Sequence, residues 1–129
     1  MAKTEKNLGE AYTGESQARS RYNAFAERAE ADGLTEIAKL FRETADQEYL
    51  HAKDHLHRLG IVKSTEENLD FAIKGEEFEY KEMYPRMIKD ARAEGDEWAL
   101  TILDIAMEAE KRHAARFRKA LEDLRRSPK

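Results

Sequence analysis

The fold is decided by a short stretch that occurs twice in the chain. Gln47-Glu48-Tyr49-Leu50-His51 is matched 62 residues later by Ala109-Glu110-Lys111-Arg112-His113, so that each copy carries Glu-x-x-His. On a helix, side chains three residues apart lie on one face and can bind the same metal ion. A further pair, Gly14-Glu15 and Gly75-Glu76, repeats with an offset of 61. We interpret the two similar halves as the products of a duplication.

Glycines and capping residues divide the chain into four long segments. Gly33, Gly60 and Gly95 stand where three helices would end, and Ser64 with Glu67 forms a capping box before the third segment. In every segment apolar residues recur at alternating steps of three and four, which is the spacing of one buried helix face. The sequence predicts an all-α four-helix bundle in a single domain over residues 1–129, with helices at about residues 4–31, 35–59, 65–93 and 97–126.

Composition and charge exclude several classes of protein. No apolar run approaches the roughly 20 residues of a membrane-spanning helix, and the N-terminal residues are polar, without the apolar core of a secretory signal. The net charge of −4, with acids and bases interspersed, argues against a nucleic-acid surface. The absence of cysteine excludes disulfides, a thiol nucleophile and cysteine-bound metal. We expect a cytoplasmic protein without nucleic-acid or membrane partners.

A glutamate interrupts the apolar face of each predicted helix near its middle. Glutamate is rarely buried unless it is paired or binds a metal, and no basic residue on these faces is placed to pair with all four. Glu79 lies one turn beyond Glu76, so five carboxylates would converge, and cations would be needed to keep them ionised. Carboxylates mixed with imidazole suit iron or manganese. The sequence predicts a dinuclear site with the ligands Glu15, Glu48, His51, Glu76, Glu79, Glu110 and His113.

The chain resembles the ferritin-like di-iron domain of rubrerythrins over nearly its whole length. The matching stretches are Gly14–Arg19 with Tyr22, Ala45–Lys53, Gly75-Glu76 with Glu79-Tyr80, Glu82–Pro85, and Ala109-Glu110 with His113 and Arg116-Phe117. The resemblance implies a ferritin-like bundle that holds two iron ions, with manganese or mixed occupancy as alternatives.

The resemblance also implies a role for each ligand. Glu48 and Glu110 would bridge the two ions. Glu15 would bind the first ion, and Glu76 with His113 would hold the second. Glu79 and His51 would be alternative ligands of the first ion, exchanged when its oxidation state changes. The residues that the resemblance assigns to catalysis are Glu79, His51, Tyr22 and Tyr84, of which the two tyrosines would hydrogen-bond near the metals.

The function that the resemblance implies is reduction of hydrogen peroxide to water by a non-haem di-iron peroxidase in oxidative-stress defence. Rubrerythrins usually carry a C-terminal rubredoxin domain with four cysteines, and this sequence has no cysteine. The expected electron donor is therefore a separate protein such as a rubredoxin. Two alternatives remain open at this point: a ferroxidase or iron-storage protein, and a bundle in which metals only stabilise the fold.

Two residues outside the ligand set have consequences for it. His55 follows His51 by four residues and faces the same way, but it lies one turn from the ligand level, so we assign it at most a supporting role. Pro85 lies within the third predicted helix, where it removes a backbone hydrogen bond. A kink or a π-bulge is therefore expected close to Glu79.

The short connection between the second and third helices restricts how the bundle assembles. The second helix is about 38 Å long, whereas Gly60–Lys63 reaches only about 14–20 Å when extended. In the ferritin-like arrangement these two helices run parallel, which this connector does not permit within one bundle. The alternatives are an up-down-up-down bundle and a homodimer that exchanges helical hairpins. We favour the exchanged homodimer, in which one chain supplies Glu15, Glu48 and His51 and its partner supplies Glu76, Glu79, Glu110 and His113.

Overall fold

A computed structural model describes residues 2–127, so Met1, Pro128 and Lys129 of the predicted domain lie outside it. The elements are α1 (Lys3–Ala31), α2 (Thr35–Arg58), α3 (Thr65–Phe78), a π-helical turn (Glu79–Met83), α4 (Tyr84–Glu94) and α5 (Glu97–Arg126). The third predicted helix corresponds to α3, the π-helical turn and α4 taken together. The prediction of an all-α chain with four helices is confirmed, and residues 2–127 contain no β-strand.

The helix ends follow the capping residues of the sequence. The hydroxyl oxygen of Ser64 accepts a hydrogen bond from the backbone N–H of Glu67 at 3.1 Å and donates one to its carboxylate at 2.8 Å. Asp96 accepts a hydrogen bond from the N–H of Ala99 at 2.9 Å, which caps α5. At the end of α2, Gly60 has a φ of +73°, a conformation that L side chains rarely adopt. The predicted N-cap at Ser64 is therefore confirmed, and the carboxylate of Glu67 accepts from the hydroxyl of Ser64.

The chain divides between Val62 and Lys63 into two compact units, each a helical hairpin. In the first unit α1 and α2 pack through a row of buried alanines: Ala18, Ala26, Ala29, Ala38, Ala45 and Ala52. Such small side chains allow the two helix backbones to approach closely. In the second unit α3, the π-helical turn and α4 pack along α5, with Ile73, Ala91, Ala114 and Leu121 buried. Both hairpins thus bury small or apolar side chains between their helices.

The π-helical turn begins at Glu79 and is followed closely by Pro85. The N–H of Tyr84 donates to the carbonyl oxygen of Glu79, five residues earlier, instead of four as in an α-helix. Pro85 has no N–H, so it cannot continue the α-helical hydrogen bonding back to Lys81. The irregularity expected near Pro85 is confirmed, and it takes the form of a π-helical turn. No helix within residues 2–127 is long and apolar enough to cross a membrane.

Candidate metal centre

The first hairpin brings together Glu15 of α1 with Glu48 and His51 of α2. These three side chains each offer one ligand atom, and the three atoms lie within 4.8 Å of one another. Nδ1 of His51 is 3.9 Å from Oε1 of Glu48, as expected for residues three apart on a helix. Both carboxylates are half-buried and the imidazole is exposed. We call these three residues the first half-site.

The second hairpin repeats this arrangement with Glu76 of α3 and with Glu110 and His113 of α5. Their ligand atoms also lie within 4.8 Å of one another, and the carboxylates are again half-buried. Nδ1 of His113 is 3.6 Å from Oε1 of Glu76 and 3.8 Å from Oε1 of Glu110. We call these residues the second half-site. The duplication visible in the sequence therefore places one carboxylate–imidazole cluster in each hairpin.

Glu79 and Tyr84 extend the second half-site. A hydrogen bond with Glu110, together with burial and the negative charge of Glu110, raises the pKa of Glu79 to about 7. Burial and the charges of Glu110, Glu79 and Glu76 raise the pKa of Tyr84, so its hydroxyl keeps its proton and can donate a hydrogen bond. Glu79 is the first residue of the π-helical turn. The turn therefore carries a carboxylate that lies beside a carboxylate of α5.

Tyr22 and His55 are the other candidate residues of the first hairpin. The ring of Tyr22 lies 6.3 Å from that of Phe25 and 6.0 Å from that of Phe41, in a cluster of three aromatic rings. Its predicted hydrogen bond near the metals stays a prediction. Nε2 of His55 lies 2.9 Å from Oε2 of Glu15. This histidine is therefore closer to a candidate ligand than its place one turn from the ligand level had led us to expect.

The donor atoms fit a metal ion in both half-sites. Oε2 of Glu15 and Oε2 of Glu76 are buried, and neither accepts a hydrogen bond from the described part of the chain. A buried carboxylate oxygen without a partner is costly, and a bound cation, a hydrogen-bond donor or both together remove that cost. Two carboxylates and one imidazole form a mixed oxygen and nitrogen donor set, which suits iron or manganese.

Comparison with known proteins identifies the family of this chain. The family model described as Rubrerythrin matches residues 6–121 of this chain. The chain belongs to the rubrerythrin family. A rubrerythrin of Nitratidesulfovibrio vulgaris is 43% identical over 130 aligned residues, which cover 90% of this chain and 68% of the relative. A rubrerythrin of Porphyromonas gingivalis is 39% identical, with coverage of 90% and 64%.

A solved structure supports the same fold. Nigerythrin in its fully reduced, all-ferrous state matches with a TM-score of 0.51 and 30% identity, over 99% of this chain and 70% of that one. The predicted ferritin-like fold class is therefore confirmed. Rubrerythrins are di-iron proteins, so the two carboxylate–imidazole clusters are candidate iron sites, and the prediction of iron as the cofactor is confirmed. Membership places the chain among the di-iron oxidoreductases of oxidative-stress defence.

Proposed function

We propose that this rubrerythrin-family chain is a di-iron peroxidase that reduces hydrogen peroxide to water in the cytoplasm. The observation that carries this proposal is the extra carboxylate of Glu79 beside Glu110. With the duplication offset of 61, the residue of the first half that corresponds to Glu79 is Ala18. Glu79 is therefore a carboxylate that has no counterpart in the first half. A site through which iron only passes into storage has less need of such an extra ligand.

The reaction requires two electrons and two protons for each peroxide, which yields two water molecules. Two ferrous ions, when bound, would supply the electrons and act as Lewis acids toward the peroxide oxygens. We propose that Glu48 and Glu110 bridge the ions, that Glu15 binds the first ion, and that Glu76 with His113 holds the second. Glu79 and His51 are proposed as alternative ligands of the first ion. Tyr22 and Tyr84 are proposed as hydrogen-bond donors near the site.

The electrons must be replaced after each turnover. The 129 residues contain no cysteine with which to hold a rubredoxin-type iron. We therefore propose that hydrogen peroxide is the oxidising substrate and that a rubredoxin-type iron centre outside these residues is the electron donor.

We further propose that the two half-sites combine into one dinuclear centre in a homodimer that exchanges hairpins, with residues 1–129 acting as one ferritin-like domain. Each hairpin carries large exposed apolar side chains: Leu40 is 61% exposed in the first, and Phe71 and Ile105 are 67% and 64% exposed in the second. Among residues 2–127 no large side chain is fully buried. Such apolar surface supports association between hairpins, since burial of apolar area is the main force that drives helix packing.

The length of the connector favours exchange over a single-chain ferritin-like bundle. Helix α2 has 24 residues and is about 36 Å long. Only six residues, 59–64, separate Arg58 from Thr65, and they span at most about 25 Å. This connector is too short to return along α2, which leaves an exchanged dimer or an up-down-up-down bundle.

The reaction is tested with the di-ferrous protein in a stopped-flow instrument. The protein is mixed under anaerobic conditions with hydrogen peroxide and, separately, with air-saturated buffer, and the absorption of the ferric product is followed. We expect peroxide to oxidise the site much faster than dioxygen does. Faster oxidation by dioxygen, followed by accumulation of ferric iron beyond two ions per site, would instead identify a ferroxidase or a storage protein. Metal analysis of protein purified without added metal determines whether iron, manganese or a mixed pair is bound.

A further inference from the structure

We propose that His55 is a positioning residue for Glu15: after a small rotation of its ring, its Nε2–H donates to Oε2 of Glu15 and fixes the orientation in which that carboxylate meets a metal ion. This role deepens the proposed function and rests on the proposed metal centre. His55 itself lies outside the proposed ligand set. It concerns only α1 and α2 of the first hairpin.

The contact is short and largely shielded from solvent. Nε2 of His55 lies 2.9 Å from Oε2 of Glu15, and the two side chains are 22% and 27% exposed. Oε2 itself is buried and accepts no hydrogen bond from residues 2–127 in the present ring orientation. An imidazole that carries its proton on Nε2 needs only a change of ring angle to donate to this oxygen. Oε2 of Glu15 and Nε2 of His55 are therefore close enough to form a hydrogen bond, and only the angle of the ring prevents it.

The register of the hairpin explains why His55 reaches Glu15. Ala29 and Ala38 lie in one buried cluster near the turn between α1 and α2. Fourteen residues further from the turn on each helix, Glu15 is level with residue 52, between His51 and His55. The two histidines can therefore approach Glu15 from neighbouring turns of α2. His51 belongs to the first half-site, and Nε2 of His55 lies 2.9 Å from Oε2 of the same Glu15 carboxylate.

The second hairpin lacks a counterpart of this histidine. With the repeat offset of 62, the residue that corresponds to His55 is Phe117, which is half-buried. There the carboxylate of Glu76 instead has Nδ1 of His113 at 3.6 Å. The two hairpins thus hold corresponding glutamates in different ways. Hydrogen bonds to a ligating carboxylate orient it and tune the metal that it binds. His55 therefore makes the ion held by Glu15 different from the ion held by Glu76.

Metal binding, rather than turnover, tests this role. His55→Leu removes the donor, His55→Phe copies the residue of the second hairpin, and His55→Gln keeps an N–H donor at a similar reach. His57→Leu is the matched control, because His57 is exposed and lies two residues away on α2. Each metal-free protein is titrated with cobalt(II), whose visible absorption reports the ligand geometry, in competition with a chelator.

We expect His55→Leu and His55→Phe to weaken the binding of one of the two ions by about 10–100-fold and to change its absorption spectrum. The second ion should bind as before, His55→Gln should recover most of the lost affinity, and His57→Leu should match the unsubstituted protein. Unchanged affinity and spectrum in both His55→Leu and His55→Phe would overturn the proposal. Failure of His55→Gln to recover affinity would also overturn it, because the imidazole would then be needed for something other than the hydrogen bond.

Circular dichroism of the metal-free proteins shows whether each variant is folded. Because two variants lack the donor, His55→Leu and His55→Phe, a folding defect in one of them leaves the other to test the proposal. The outcome is also separate from that of the proposed function. If the unsubstituted protein binds two cobalt ions and His55 behaves as expected, but the iron-loaded protein does not reduce peroxide, the peroxidase proposal fails and the role of His55 remains.

Discussion

The carboxyl group of Glu79 lies within hydrogen-bonding reach of the carboxyl group of Glu110, and this contact helps to raise the pKa of Glu79 from 4.5 to about 7. Burial and the charge of Glu110 act in the same direction, and the charge of His113 opposes them. Two carboxylates this close repel each other unless a proton or a cation lies between them. The electrostatic repulsion between these carboxylates therefore depends on whether metal is bound.

The metal-free protein should become less stable as the pH rises through neutrality. The folded-state pKa of Glu79 is higher than its ordinary value, so the stability that its proton confers is fully present below about pH 4.5 and is lost as the pH rises through about 7. We expect a lower denaturation midpoint at about pH 8 than at about pH 6, measured by urea unfolding after iron is removed with a chelator. Bound iron should raise the midpoint at both pH values.

Glu79→Gln identifies the source of that pH dependence. Glutamine cannot ionise, so the variant should lose less stability than the unsubstituted protein between the same two pH values. Glu82→Gln is the matched control, because Glu82 is exposed on the same π-helical turn, and its pH dependence should be that of the unsubstituted protein. Equal pH dependence in all three proteins would show that Glu79 is not the group responsible.

Replacing either proposed bridging ligand should reduce the metal content. Glu48→Ala and Glu110→Ala each remove a carboxylate that we assign to both ions, so fewer than two ions per site should remain after dialysis. Plasma mass spectrometry with protein quantification measures the content. Glu43→Ala and Glu108→Ala are controls on exposed positions of the same helices, and both should retain two ions. Two retained ions in Glu48→Ala and Glu110→Ala would rule out the bridging assignment.

Glu79→Ala should separate metal binding from turnover. The other six proposed ligands remain, so both ions should stay bound, whereas peroxide turnover should slow by about 10–100-fold, as is typical for groups that tune a metal centre. Steady-state peroxide consumption with a chemical reductant measures the rate, and metal analysis confirms the loading. Glu82→Ala, in the same turn, should turn over at the unsubstituted rate. A Glu79→Ala protein that is as fast as Glu82→Ala would refute ligand exchange in this chain.

The sequence was sufficient to predict the four helices, because apolar spacing and capping residues such as Ser64 are local signals that the structure follows. It was also sufficient to predict an irregularity near Pro85, since a missing N–H must interrupt the hydrogen bonding. It left open whether the irregularity is a kink or a π-bulge, and the structure has a π-helical turn that begins at Glu79. The missing N–H of Pro85 is compatible with either form, so the local sequence does not decide between them.

His55 shows a different limit. Its place on the face of α2 was clear, but its distance from Glu15 depends on the register between α1 and α2. Counting outward from the turn at Gly33 would have placed Glu15 at the level of His51, one helical turn from His55. The signal was therefore present in the hairpin geometry and absent from the spacing within α2. For Tyr22, whose ring lies among Phe25 and Phe41, the sequence could not distinguish packing from hydrogen bonding.

Mixing two defective chains tests the exchange of hairpins. Chains with Glu15→Ala and Glu110→Ala are coexpressed with different affinity tags, and the heterodimer is purified. In an exchanged dimer one site receives both substitutions, and the other receives the intact first hairpin of one chain and the intact second hairpin of its partner. One complete site per heterodimer should result, with about half of the peroxide turnover and tightly bound iron of the unsubstituted dimer.

A second heterodimer provides the control for this complementation. Glu15 and Glu48 lie in the same hairpin, so mixing Glu15→Ala with Glu48→Ala chains leaves one substitution in each exchanged site and should restore neither. An up-down-up-down bundle within one chain would give no complete site in either mixture, because every chain keeps its own substitution. The two arrangements therefore differ only in the first mixture. Absence of complete sites there, or a metal-loaded monomer in analytical ultracentrifugation at micromolar concentration, would rule out exchange.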